Sequence, residues 1–279
     1  MTIDNLDSQD IYQKTTARMP VLFIGHGNPM NAIEDTEYSG KWRKLGDNLP
    51  RPKAILCISA HWETRGSLVT AMDDPPTIHD FGGFPKELFD VEYTAPGSLW
   101  LAELTQDNIS GTDIGYDYKW GLDHGCWSVL RRMYPDADIP VVQLSLDRTK
   151  TTKEHYQIGM ELLSLRDQGV LIIGSGNLVH NLRKQVLTGN PEIDFKQPFG
   201  LDWALEANAL FKMFIDEDRH QELMDYKKLG ESVQLAVPTP EHYLPMLYII
   251  ALKQTGESVT YFNDEPVAGS LTMTSFLIK

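Results

Sequence analysis

Four short apolar runs, each bounded by Gly, Pro, Ser or a charged residue, constrain this chain more than anything else in it: Pro20–Ile24, Ala54–Ser59, Val141–Ser145 and Val170–Ile173. They are four to six residues long, rich in β-branched side chains, and lack the alternation of a half-exposed strand. Each therefore predicts a strand covered on both faces, as in a parallel sheet. Helical patterns lie between and after them. Thr151–Asp167 places Ile158, Leu162 and Leu165 on one stripe, with Gly169 just past its end. Trp203–Ile215 is a second helix. A third is expected to start at Thr239-Pro-Glu-His242, with Thr as the cap and Pro in the first helical position. Ser270–Ile278 alternates loosely and reads as an edge strand. Strands alternating with helices predict an α/β fold: a single domain over 18–279, with a mostly parallel central sheet flanked by helices. Residues 1–17 are polar and are expected to form a flexible arm.

Composition narrows the function classes. The 279 residues carry 25 Lys+Arg against 39 Asp+Glu, a net charge of −14, and the cations are scattered. Nucleic-acid binding needs a basic stripe and is not expected. No apolar run approaches the ~20 residues of a membrane span. The first 17 residues, with Asp4, Asp7 and Asp10, do not resemble a signal peptide. Cys57 and Cys126 form no CxxC pair or framework. A cytoplasmic location with reduced thiols is the expectation. Gly174-Ser-Gly-Asn lacks the GxGxxG pattern, no Walker lysine follows a Gly-rich loop, and Ser175 lacks a full GxSxG elbow.

The histidines are the informative residues. The first strand runs into Gly25-His26-Gly-Asn-Pro, the second into Ala60-His61-Trp, and the last into Gly174-Ser-Gly-Asn-Leu-Val-His180-Asn. Three buried strands thus deliver a histidine at the carboxyl edge of the sheet, where ligands gather in open α/β folds. One such histidine is ordinarily a satisfied loop residue; three beside small residues point to a metal site. Imidazole is a common ligand of zinc and iron. His242, placed in the first turn of its helix, would be kept neutral by the helix dipole, and the neutral form binds metal. His124, in Trp120-Gly-Leu-Asp-His-Gly-Cys-Trp127, suits a proton-handling role. A hydrogen bond from Asp123 in a turn is the plainer reading. His79 lies in a Pro- and Gly-rich loop, 75–85, whose aromatics could cover a planar ligand. His155 and His220 are assigned to the surface. Asp80, Glu241 and, less readily, Glu63 are candidate carboxylate partners.

Six motifs stand in order: Gly-His26-Gly-Asn-Pro-Met, Ser-Ala-His61-Trp, His79-Asp-Phe-Gly-Gly-Phe-Pro, Trp-Gly-Leu-Asp-His124-Gly, Gly-Ser-Gly-Asn-Leu-Val-His180-Asn and Pro-Thr-Pro-Glu-His242-Tyr-Leu-Pro. From Met19 onward the chain resembles the 4,5-DOPA extradiol dioxygenases of the class III extradiol superfamily. The resemblance implies an α/β catalytic domain with one divalent metal at the sheet edge. It also implies cleavage of a catechol ring by O2 to a ring-opened semialdehyde. Carried over, His26, His61 and His242 would be metal ligands, His180 a ligand or an acid–base group, and His124 a proton carrier near the substrate. The usual non-haem Fe(II) site has two histidines and a carboxylate. An all-histidine set would suit Fe(II) or Zn(II). Two rival readings are a zinc hydrolase with Glu241 or Glu63 as base, and a non-catalytic metal-binding protein. The sequence leaves the oligomeric state open.

Overall fold

All four apolar runs become strands of one sheet in the structure, a computed structural model that describes residues 18–279. The arm expected over 1–17 lies outside the described residues. The central strands are β1 (Val21–Gly25), β2 (Ala54–Ser59), β3 (Val141–Gln143), β4 (Val170–Gly176), β5 (Val259–Phe262) and β6 (Ser275–Ile278). Their order across the sheet is β3-β2-β4-β1-β6-β5. The first four are parallel. The last two join antiparallel, so the sheet is mixed.

Ser270–Ile278 was expected at an edge, yet β6 pairs on both sides and is wholly buried. Its loose alternation reflects cover on both faces. The edge on that side is β5, which the periodicity did not reveal because none of its residues is fully buried.

Six helices of eight or more residues appear among the described residues: α1 (Glu37–Asn48), α2 (Leu99–Asn108), α3 (His124–Met133), α4 (Thr152–Glu161), α5 (Asp202–Asp216) and α6 (Leu244–Ala251). Alternate strand residues sort the helices into two layers. Val21, Phe23 and Leu56 pack with Ile158, Phe211 and Leu247. Leu22, Ile24 and Ile55 pack with Trp42, Trp127 and Leu130 on the other face. Because both faces are covered, these strands have no polar side, as their sequences require.

Two helix boundaries differ from expectation. The 151–167 pattern divides at Leu162 into α4 and a short helix, Leu163–Asp167. Thr151 and Glu154 form a capping box at its start. The helix expected from Thr239 starts at Leu244 instead. A helix running through 241–245 would drive the Pro245 ring into the carbonyl of Glu241, so His242 sits in the preceding turn.

His155 also departs from its expected surface position: it is 0% exposed, on the inward stripe of α4 with Ile158 and Gly159. His220 is partly buried, with Nδ1 2.8 Å from the Tyr156 hydroxyl. The His155 Nδ1 lies 2.8 Å from the Tyr248 hydroxyl, and burial pushes the pKa of this histidine down to about 4. The unfolded chain, with an ordinary histidine near 6.5, binds a proton that the folded chain refuses between those values. Stability contributed by neutral His155 is present above the unfolded pKa and is lost as pH falls toward 4. We predict that urea midpoints of the metal-free protein drop across this window. His155→Gln should flatten the slope by up to about 1.4 kcal/mol per pH unit; an unchanged slope would contradict this assignment.

Candidate active site

The carboxyl ends of β1, β2 and β4 place three histidine-bearing segments side by side. Beyond the strands, the His26 amide donates to Gly176 O at 3.1 Å, and the Ala60 amide to Ser175 O at 2.9 Å. The Asn177 amide donates to His242 O at 2.9 Å, which ties the turn before α6 to the same strand end. The His180 amide donates to Ala236 O at 2.9 Å. Close approach demands glycine here: a Cβ on Gly176 would stand 2.1 Å from His242 O. His124 is the first residue of α3, not a loop residue. Asp123 caps that helix, accepting from the Cys126 amide at 3.1 Å.

Five of the eight histidines meet in one place. The rings of His26, His61 and His242 form a near-equilateral triangle, with centroid separations of 5.0, 5.3 and 5.0 Å. His124 lies against His61 at 3.8 Å, and His180 stacks on His242 at 3.5 Å with planes 7° apart. Potential ligand atoms fall into two neighbouring groups, His26/His61/His124 and His180/Glu241/His242, each within 4.8 Å.

The surrounding acceptors define which ring nitrogen carries hydrogen. Ser175 Oγ donates to Gly125 O at 2.6 Å, so it accepts from the His26 Nδ1–H at 3.0 Å. Asp80 Oδ2 lies 3.2 Å from His61 Nδ1, and Glu241 Oε1 3.4 Å from His242 Nδ1. All three rings are thereby held with Nε2 as the lone-pair nitrogen, an arrangement common for metal-bound imidazoles. The Nε2 atoms of His26 and His61 are 3.1 Å apart. Two facing lone pairs at that distance repel, and a cation resolves the conflict. His26 and His61 would hold such a cation through Nε2.

Burial first, then repulsion from the neighbouring rings, holds His26 and His242 well below the ordinary histidine pKa. Burial likewise lowers His61 to about 3, reinforced by His124, and His180 to about 4. These rings are neutral at pH 7 and available as ligands.

The other candidates have distinct places. The His124 amide donates to Asp80 Oδ1 at 2.9 Å, and His124 Nδ1 lies 3.0 Å from Asp80 Oδ2, out of line for a hydrogen bond. Burial works to raise the pKa of Asp80, but His124 and His61 hold it below the usual value. Asp123 is not the His124 partner; it accepts from Ser59 Oγ at 2.6 Å and Gln143 Nε2 at 2.7 Å. His79 lies 3.0 Å from Val91 O and packs against Phe81 and Trp127, behind the cavity wall. Glu63 is exposed and does not line the cavity. Sequence reasoning set Ser175 aside as a nucleophile and missed its role as the support of His26; only the β4–α3 contact reveals it. The rings open onto a cavity of about 300 Å³, whose walls include Phe81, Phe84 and Phe195.

A family model described as the catalytic LigB subunit of aromatic ring-opening dioxygenase matches residues 21–264. The chain belongs to this family. It is 44% identical over 271 residues to the 4,5-DOPA dioxygenase extradiol of Escherichia coli, covering 97% of this chain and 98% of that protein. It is 40% identical over 245 residues to the protein of the same description from Beta vulgaris, covering 85% and 87%. A crystal structure of an uncharacterized protein from Escherichia coli matches with a TM-score of 0.80 and 41% identity, over 94% of this chain and 100% of that one. The family expected from the six motifs is therefore the one found. Among the described residues, no helix is long and apolar enough to cross a membrane.

Gly176→Ala tests the packing that places His242. The added methyl has no room beside the His242 carbonyl, so we expect a loss of about 1–3 kcal/mol in urea unfolding. An unchanged midpoint would show that this turn is free to move.

Proposed function

We propose that His26, His61 and His242 hold one divalent ion through Nε2, and that the protein opens the ring of a catechol such as DOPA with O2. The observation that carries this reading is the set of three neutral rings packed with centroids 5.0–5.3 Å apart, each with Nδ1 beside an acceptor oxygen, and with the Nε2 atoms of His26 and His61 3.1 Å from each other. Family membership supports the ring-opening reaction, and the relatives' descriptions support the substrate type. When bound, Fe(II) supplies a Lewis acid that lowers the phenol pKa and a redox centre for O2, which Zn(II) lacks.

His124 and His180 are the proton carriers in this reading. His124 stands against His61 with Asp80 beside its Nδ1, which leaves Nε2 to take a catechol proton and return it as the ring opens. His180 lies parallel to His242 at 3.5 Å. His180 is assigned acid–base work in this reading, facing the same cavity as His242. Phe81, Phe84 and Phe195 flank the cavity and limit water around the reacting ring. The product contains both atoms of O2: one becomes the carboxylate oxygen and one the aldehyde oxygen of the semialdehyde. Two buried, free cysteines, Cys57 and Cys126, fit a reducing cytoplasm.

His26→Ala and His61→Ala should each abolish metal loading, measured by elemental analysis after dialysis. His124→Phe should retain the ion and lower kcat by about 10²–10⁴-fold; equal loss of metal would instead make His124 a ligand. Protein reconstituted anaerobically with Fe(II) should consume oxygen with L-DOPA and yield a yellow ring-opened product, whereas Zn(II) protein should not. Absence of oxygen uptake with every catechol under Fe(II), with hydrolysis under Zn(II), would favour the hydrolase.

A further inference from the structure

Asp123 is a buried carboxylate to which the ring-cleavage reading gives no task. It is 0% exposed, as are Ser59 and Gln143 beside it. Among the described residues its oxygens accept only from neutral donors. Burial, and then the charge of Asp80, push its pKa up, so the place works against a carboxylate. Closing the start of a helix does not require one, since Ser or Asn caps as well. The hydrogen bonds show what the carboxylate adds. Asp123 Oδ1 accepts from Ser59 Oγ at 2.6 Å and from the Cys126 amide at 3.1 Å. Ser59 Oγ in turn accepts from the His61 amide at 3.2 Å. One oxygen thus joins the end of β2, which leads into His61, to the first turn of α3, which starts with His124. Asp123 Oδ2 accepts from Gln143 Nε2 at 2.7 Å, and Gln143 Oε1 accepts from the Asp123 amide at 3.0 Å, which anchors the joint to β3. The joint is tight: a Cβ on Gly125 would stand 2.5 Å from Ser59 Oγ, 3.0 Å from His61 Cδ2 and 3.3 Å from Asp123 Oδ1. An amide at 123 cannot reproduce it. With its oxygen toward Ser59, its nitrogen would face Gln143 Nε2, two donors with no acceptor between them. Turning the Gln143 amide over would only set its nitrogen against the Asp123 amide.

We propose that Asp123 is a positioning residue that fixes His61 and His124 relative to each other, through Ser59 on one side and the first turn of α3 on the other. The inference rests on the ring-cleavage reading for the work of the two histidines, and it adds the group that keeps them in register. Asp123 does not line the cavity and touches no substrate. It acts through the backbone of the segments that carry the two rings, whose centroids lie 3.8 Å apart. A ligand and a proton carrier that serve one bound ring are sensitive to small errors in their separation. A buried carboxylate that receives all of its donors from those segments and from β3 removes that freedom.

The test compares Asp123→Asn with the exchange Asp123→Asn, Gln143→Glu. In the exchange the introduced amide donates to the introduced carboxylate, so every hydrogen bond of the joint is restored with the charge moved to position 143. Three readouts are taken: the Zn(II) dissociation constant by chelator competition, the absorption spectrum of the Co(II)-loaded protein, and kcat and KM for L-DOPA with Fe(II). Asp123→Asn should weaken Zn(II) binding about tenfold or more and alter the Co(II) spectrum. It should also lower kcat about 10²-fold, with a smaller change in KM. The exchange should recover most of all three. If Asp123→Asn does not fold, Ser59→Ala removes only the link to the His61 amide and should weaken Zn(II) binding in the same direction; unchanged binding in that variant overturns the proposal. So does an Asp123→Asn protein that lowers only the urea midpoint, with metal affinity, Co(II) spectrum and kcat unchanged, because Asp123 is then a helix cap alone. An exchange that recovers the urea midpoint but neither metal binding nor kcat overturns it as well. If the unsubstituted Fe(II) protein turns over no catechol, the ring-cleavage reading fails, while the Zn(II) and Co(II) measurements still decide whether Asp123 positions His61.

Discussion

Nearly every contact that assembles the histidines passes through Gly174-Ser175-Gly176 at the end of β4. Its backbone carbonyls receive the amides of His26 and Ala60, and the next amide, Asn177, reaches the His242 carbonyl. The one side chain in the tripeptide supports His26. Its glycines admit the turn and helix that follow His242: a Cβ on Gly174 would lie 2.6 Å from Pro245 O. A site built from residues far apart in the chain thus inherits much of its accuracy from hydrogen bonds of a rigid central strand.

Electrostatics complete what the backbone begins. Crowding several imidazoles together in a buried place would be prohibitive if they were charged, so burial and mutual repulsion keep them neutral. The carboxylates Asp80 and Glu241 stand beside Nδ1 of His61 and His242, where they favour hydrogen on Nδ1 and leave Nε2 as the lone-pair nitrogen. Negative charge therefore supports the proposed ligands from their Nδ1 side.

Much of this was legible in the chain, for identifiable reasons. Doubly buried parallel strands write themselves as continuous apolar runs, so β1, β2, β3 and β4 and their histidine-bearing ends were readable. The strand at 259–262 was not, because a half-covered edge has no clear period. The start of α6 was misplaced because Pro240 is a good opening residue, while the decisive clash comes from Pro245. His155 was taken for a surface residue on account of its polarity, although its spacing from Ile158 and Leu162 puts it on the inward stripe. Long-range supports such as Ser175 for His26, or Asp80 for His61, leave no local mark in a single sequence.

One loop connects two properties that are usually separate. Asp80 sits beside the imidazoles of His61 and His124, and its chain neighbour Phe81 forms part of the cavity wall with Phe84. The segment that would feel the shape of an incoming ring is thus also the segment that stands against the proposed ligand His61 and the proposed proton carrier His124. Remodelling it to admit a bulkier molecule would detune the chemistry at the same stroke, so in this scaffold substrate range and reactivity have to evolve together.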